Sequence, residues 1–174
     1  MNSLKRLYNW TLDKANHKNA KWYLSLISFA ESSFFPIPPD LLLIPMALAS
    51  KTKAIFYAFI CTFSSVLGGI LGYAIGYYFY NTLGIYIVEF YHLENSFSVF
   101  EDYYKEFGIL IVLGAGITPF PYKFITIASG VFGLNIFLFI IISIFGRGLR
   151  FYLIATLLYF FGEKIKLIID KYFN

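Results

Sequence analysis

Five ionisable residues stand inside otherwise apolar stretches of this chain: Glu31, Asp40, Lys123, Arg147 and Arg150. Each costs about 2.5–3.5 kcal/mol at the centre of a membrane helix on insertion scales, so they are expected to converge on a watered, protein-lined cavity rather than face lipid. Three cations against two carboxylates leave a positive excess, which suits an anionic group such as a phosphate. Arginine offers a planar fork to phosphate oxygens and lysine a point charge. Lys123, Arg147 and Arg150 are therefore the candidate phosphate-binding residues. Glu31 and Asp40 are candidates for proton coupling or gating, because poor solvation raises a carboxyl pKa unless a nearby cation holds it ionised. The competing reading is that Asp40–Lys123 and Glu31–Arg are ion pairs that only lock the structure together.

The elements that must position these charges repeat. Pro36-Ile37-Pro38-Pro39-Asp40 matches Pro119-Phe120-Pro121-Tyr122-Lys123, 83 positions later, with opposite charges at the same place. Proline removes an amide donor and disfavours helix in the residue before it. Pro36, Pro38 and Pro39, and again Pro119 and Pro121, thus predict sharp turns between short apolar arms. Neither arm of residues 22–50 reaches the ~20 residues needed to span a bilayer. The segment reads as a re-entrant hairpin, and 107–133 as a second. Each is followed by an uninterrupted apolar segment long enough to cross, 54–80 and 134–162. Arg147 and Arg150 fall near the middle of the latter, unless they mark a break between two shorter pieces.

The 174-residue chain is 59% hydrophobic and 22% aromatic, with only 14% charged residues and a mean hydropathy of +0.67. That is too little charge to cover a soluble surface. The expected fold class is an all-α integral membrane protein: an inverted repeat of re-entrant hairpin plus transmembrane helix, preceded by an amphipathic helix over 1–21. Residues 22–162 form the membrane domain, with an extracytoplasmic, partly helical segment at 81–106, and 163–174 form a cytoplasmic tail. Basic residues set the orientation: Lys5, Arg6, Lys14, Lys18 and Lys21 lie before the first hairpin, Lys51 and Lys53 after it, and Lys164, Lys166 and Lys171 at the end. The 81–106 segment has only Lys105. Both termini are therefore expected in the cytoplasm, and the hairpins enter from opposite sides.

Other chemistry has little support. The basic residues flank apolar segments and form no single patch, so the net charge of +4 does not imply nucleic acid. His17 and His92 lack partners at ligand spacing, and neither a metal nor a cofactor is expected. No Asp-Asp or His-Asp pair suggests an enzyme. Cys61 is read as a packing residue, and the late start of the first apolar run argues against a cleavable signal peptide. Gly68, Gly69, Gly72 and Gly76 mark a close helix–helix contact, within the chain or between copies in a homo-oligomer.

The segment Glu31-Ser-Ser-Phe-Phe-Pro-Ile-Pro-Pro-Asp40, the later Pro119-Phe-Pro-Tyr-Lys123, and Gly130 resemble the DedA family, the bacterial branch of the SNARE-associated Golgi or VTT-domain proteins, with a YqaA-like subgroup nearest. The resemblance covers roughly residues 22–162. It implies two facing re-entrant hairpins in the bacterial inner membrane and movement of lipids between leaflets. In some members the lipid is undecaprenyl phosphate and in others phospholipid, with proton-motive-force dependence in some. Glu31 and Asp40 match the family's membrane-embedded acidic residues. Lys123 falls where many members have the second arginine of Arg-x-x-Pro-x-x-Arg, whereas Ile117 occupies the neighbourhood of the first. Arg147 or Arg150 is then a candidate to supply the missing charge.

Overall fold

The computed structural model describes residues 19–34, 37–92 and 94–173, with side chains up to 162 except at 87, 94 and 96. The amphipathic helix expected over 1–21 falls mostly on 1–18, and Pro36 on 35–36, outside the described residues. Among those described, the chain is helical and contains no strand. Helix α1 is Ala20–Ser33 and α2 is Asp40–Ala49; a 3₁₀ turn at Lys51–Lys53 leads into α3, Ala54–Phe79. A π-helical turn, Tyr80–Gly84, continues into the short α4, Ile85–Phe90. Then come α5 (Glu94–Ile117), α6 (Tyr122–Val131) and α7 (Ile136–Phe173). Two stretches, Lys51–Gly84 and Ile136–Gly162, are long and apolar enough to cross a membrane.

Local chemistry explains the breaks. After α1, Pro38 and Pro39 interrupt the helix, and the carbonyls of both then accept the first amides of α2, from Leu41, Leu42 and Leu43. Pro121 precedes α6 in an extended conformation, as a cap that lacks an amide can. Gly133, at φ +63°, ends α6 while the Leu134 amide reaches back to the Ser129 carbonyl. Asn135 then caps α7, its Oδ1 accepting the amides of Phe137 at 3.0 Å and Leu138 at 3.2 Å.

Two expected boundaries differ. The acidic segment 94–106 does not end before the second hairpin; it forms one helix with the apolar arm up to Ile117. The polar residues after 162 continue α7 to Phe173. Nor is there a break at Arg147 or Arg150, where α7 is continuous.

The helices pack in a regular scheme. The first arm of each proline-broken pair lies on the long helix that follows it, α1 on α3 and α5 on α7. The second arm lies on the other long helix, α2 on α7 and α6 on α3. Along α3 and α7 the contacts run in opposite directions: Thr62 meets Gly148, Ser65 meets Arg147, Gly69 meets Phe139, and Tyr73 bonds to Leu134. The two long helices are antiparallel. The glycines of α3 let α1 and α6 pack closely against it within the chain. A Cβ at Gly68 would lie 2.1 Å from the Phe29 carbonyl oxygen and one at Gly76 2.0 Å from that of Ile127. On the facing helix a Cβ at Gly130 would lie 2.0 Å from the Tyr73 oxygen.

Polar side chains are buried in the interior while many large apolar ones face outward. Ser28, Ser32, Ser33, Ser64, Ser65, Thr126, Ser129, Ser143 and Arg147 are buried, while large apolar side chains such as Phe59, Phe63, Phe137, Ile141, Phe145 and Phe160 are exposed.

Candidate functional site

The two proline turns meet. Pro38 and Pro39 from one and Pro119, Phe120 and Pro121 from the other line a cavity of about 200 Å³, together with Glu31, Lys123, Phe124, Arg147 and Arg150. Asp40 lies beside it, bonded to Arg150. Four elements deliver the charges: α1 brings Glu31 in its last turn, α2 opens on Asp40, α6 carries Lys123 in its first turn, and α7 carries both arginines. Arg147 and Arg150 are three residues apart, so both project from one side of α7.

Arg147 is held on every side. It is 1% exposed; Nη2 donates to Glu31 Oε2 at 2.6 Å and Nε to Ser65 Oγ at 2.6 Å. Ser32 links the same groups, lying 3.1 Å from Glu31 Oε2 and 2.6 Å from Ser65 Oγ. The guanidinium sits 4.9 Å from the Tyr122 ring centre and 4.7 Å from that of Phe151, a sandwich that suits a planar, weakly hydrated cation. Tyr122 is fixed in turn by a 2.6 Å bond to Ser143.

Arg150 is more accessible. Its Nη2 donates to Asp40 Oδ2 and its Nη1 to the Thr118 carbonyl at the second turn. The side chains of this pair are 13% and 19% exposed, and Asp40 Oδ1 is buried without a hydrogen-bond partner.

The pairing differs from the one suggested by the repeated motif. Asp40 pairs with Arg150, not with Lys123, because α2 packs laterally on α7 while α6 packs on α3. Among the described residues Lys123 makes no ion pair; its ammonium lies 5.3 Å from the Phe124 ring centre at the cavity wall. Two carboxylates therefore neutralise two arginines, and the cavity keeps one uncompensated cation.

Ser32, Ser65, Tyr122 and the Thr118 carbonyl were not foreseen from the sequence. A signal existed for the first two. Serines recur at 25, 28, 32 and 33 around Glu31 and at 64 and 65 in the following helix, so a polar stripe on each faced a buried charge.

Two relatives resemble the chain along nearly its whole length. An uncharacterized protein of Haemophilus influenzae is 38% identical over 158 residues, which cover 91% of this chain and 82% of that protein. An uncharacterized HI0703 homolog of Histophilus somni is 38% identical over 161 residues, with the same coverage. The chain belongs to their family. The shared region includes most of the helical framework, since it leaves out only a tenth of the chain. No family model and no solved structure matches the chain.

Proposed function

We propose that this protein is a small membrane transporter that moves a phosphate-headed lipid between leaflets, as the resemblance to the DedA family suggests. The observation that carries this reading is Lys123: an ammonium without a counterion among the described residues, at a cavity between two proline turns. Its place in the first turn of α6 strengthens the point. Helix amides at an N-terminus favour an anion and disfavour a cation, so an anion entering the cavity gains from both lysine and helix.

Membrane insertion is supported by the two long apolar helices and by the many exposed phenylalanines and isoleucines beside buried serines and an arginine. The antiparallel long helices and the exchanged second arms support an inverted repeat. In this account the Arg147–Glu31 pair is a fixed pin, and the Arg150–Asp40 pair is the exchangeable one. A phosphate already held by Lys123 competes with Asp40 for Arg150. A proton on the unpartnered Asp40 Oδ1 then favours release of the arginine, which gives a route for proton coupling. An undecaprenyl phosphate or a phospholipid both supply the required headgroup, in a bacterial inner membrane with the termini on the cytoplasmic side. No catalytic residue, metal or cofactor is assigned.

A structural or assembly role is the second reading, favoured by the observation that Glu31 and Asp40 are each already matched by an arginine. The pair to test is Asp40–Arg150. If Asp40→Arg with Arg150→Asp restores full translocation in liposomes, the pair is only a lock; folded but inactive protein supports its exchange during transport.

A further inference from the structure

A groove lies on the flank of the molecule, lined by none of the residues of the charged cavity. Two adjoining depressions, of about 290 and 440 Å³, share Trp22, Ser25, Phe63 and Ser64 and form one groove between α1 and α3. Lys21 stands at one end and Leu67 lies at the other. Between Phe56 and Leu67, α3 rises about 16 Å at 1.5 Å per residue, about half of a 30 Å hydrocarbon core. The groove is thus one leaflet long.

Its charge sits at one end of that length. Lys21 and Trp22 are exposed at the mouth, the lysine 5.9 Å from the indole centre. Below them, Ser25 and Ser64 face each other at 2.7 Å, in a wall that is otherwise apolar. Two hydroxyls in one mutual bond leave one proton to donate. Phe59 and Phe63, stacked 6.1 Å apart and both more than half exposed, line α3 between the Lys21 end and the serine pair, and Leu67 closes the far end. A cation at the mouth of a largely aromatic trough that holds one hydroxyl donor matches the phosphate, acyl chain and ester carbonyl of a glycerophospholipid.

We infer that this groove binds one anionic phospholipid of the leaflet on the Lys21 side, separately from any transported lipid. The inference rests on membrane insertion but not on transport. It needs the headgroup charge at Lys21, so it favours an anionic over a zwitterionic lipid by about five-fold, the contribution expected of one interfacial lysine.

The test uses the full chain carrying Trp10→Phe, so that Trp22 is the only tryptophan. It is reconstituted into phosphatidylcholine–phosphatidylglycerol vesicles in which one or the other lipid is brominated. Insertion is checked by flotation and translocation is followed in the same vesicles. Brominated phosphatidylglycerol is expected to quench Trp22 at about one-fifth of the mole fraction that brominated phosphatidylcholine requires. Lys21→Gln should abolish that difference, and Ser64→Leu should weaken quenching by both lipids, with translocation unchanged. Equal quenching by the two lipids in the unsubstituted groove overturns the inference, as does a preference that survives Lys21→Gln. Quenching by neither means that protein fills the groove, whether the chain's own first residues or a second copy, and overturns it too. Loss of translocation alone, with lipid preference intact, speaks against the transport reading and leaves the groove standing.

Discussion

Lys123 and Arg147 share a cavity but hold opposite positions in it. Arg147 is surrounded by Glu31, Ser65 and two aromatic rings, so its removal strands a buried carboxylate. Arg147→Met is expected to cost about 3–5 kcal/mol, read as a lower unfolding temperature in detergent, and Arg147→Met with Glu31→Met should recover most of it. Among the described residues Lys123 has no counterion to strand, and it sits against the helix dipole. Lys123→Ala should therefore change stability by less than about 1 kcal/mol in the same measurement while removing transport. At this scale the convergence of five charges was legible, because hydrocarbon leaves buried charges few alternatives to a common cavity. Their partners were not. Matching motifs place Asp40 and Lys123 at equivalent positions, but partner choice depends on which helices lie side by side, and α2 lies on α7.

Among the elements, the glycines of α3 carry the most exacting constraint. Gly76→Ala and Gly130→Ala each push a methyl group to about 2.0 Å from a backbone oxygen, a contact that only helix displacement relieves. Either is expected to lower thermal stability severely. Gly114→Ala is the control: a Cβ there meets nothing within 4 Å, so the gain in helix propensity should raise stability by up to about 1 kcal/mol. The proline turns were readable because missing amides and restricted φ act locally. The ends of α5 and α7 were misjudged because charge content reports exposure rather than termination. Residues 94–106 are polar yet lack a breaker, so the helix passes straight through them. This stretch is held instead by ring contacts, Tyr80 with Phe97 at 4.8 Å and Phe132 with both Phe97 and Tyr104 at 5.1 Å.

For the molecule as a whole, the antiparallel long helices and the one-sided distribution of lysines make a joint claim about orientation. In a Cys61→Ala background, Ser98→Cys is expected to react with an impermeant maleimide added outside intact cells. Thr52→Cys should react only after lysis. Labelling of both from outside would contradict the assignment of the termini to the cytoplasmic side. Orientation matters to function because a cavity reached alternately from two sides requires its two turns to enter from opposite faces. The most direct measurement is translocation of a fluorescent phosphate-headed lipid in liposomes bearing the unsubstituted protein, Lys123→Ala or Lys123→Arg. The account predicts rapid transfer with the unsubstituted chain, loss of at least ten-fold (about 1.4 kcal/mol) in Lys123→Ala, and substantial retention in Lys123→Arg. Equal transfer by the unsubstituted chain and Lys123→Ala, with both folded and inserted, would contradict it.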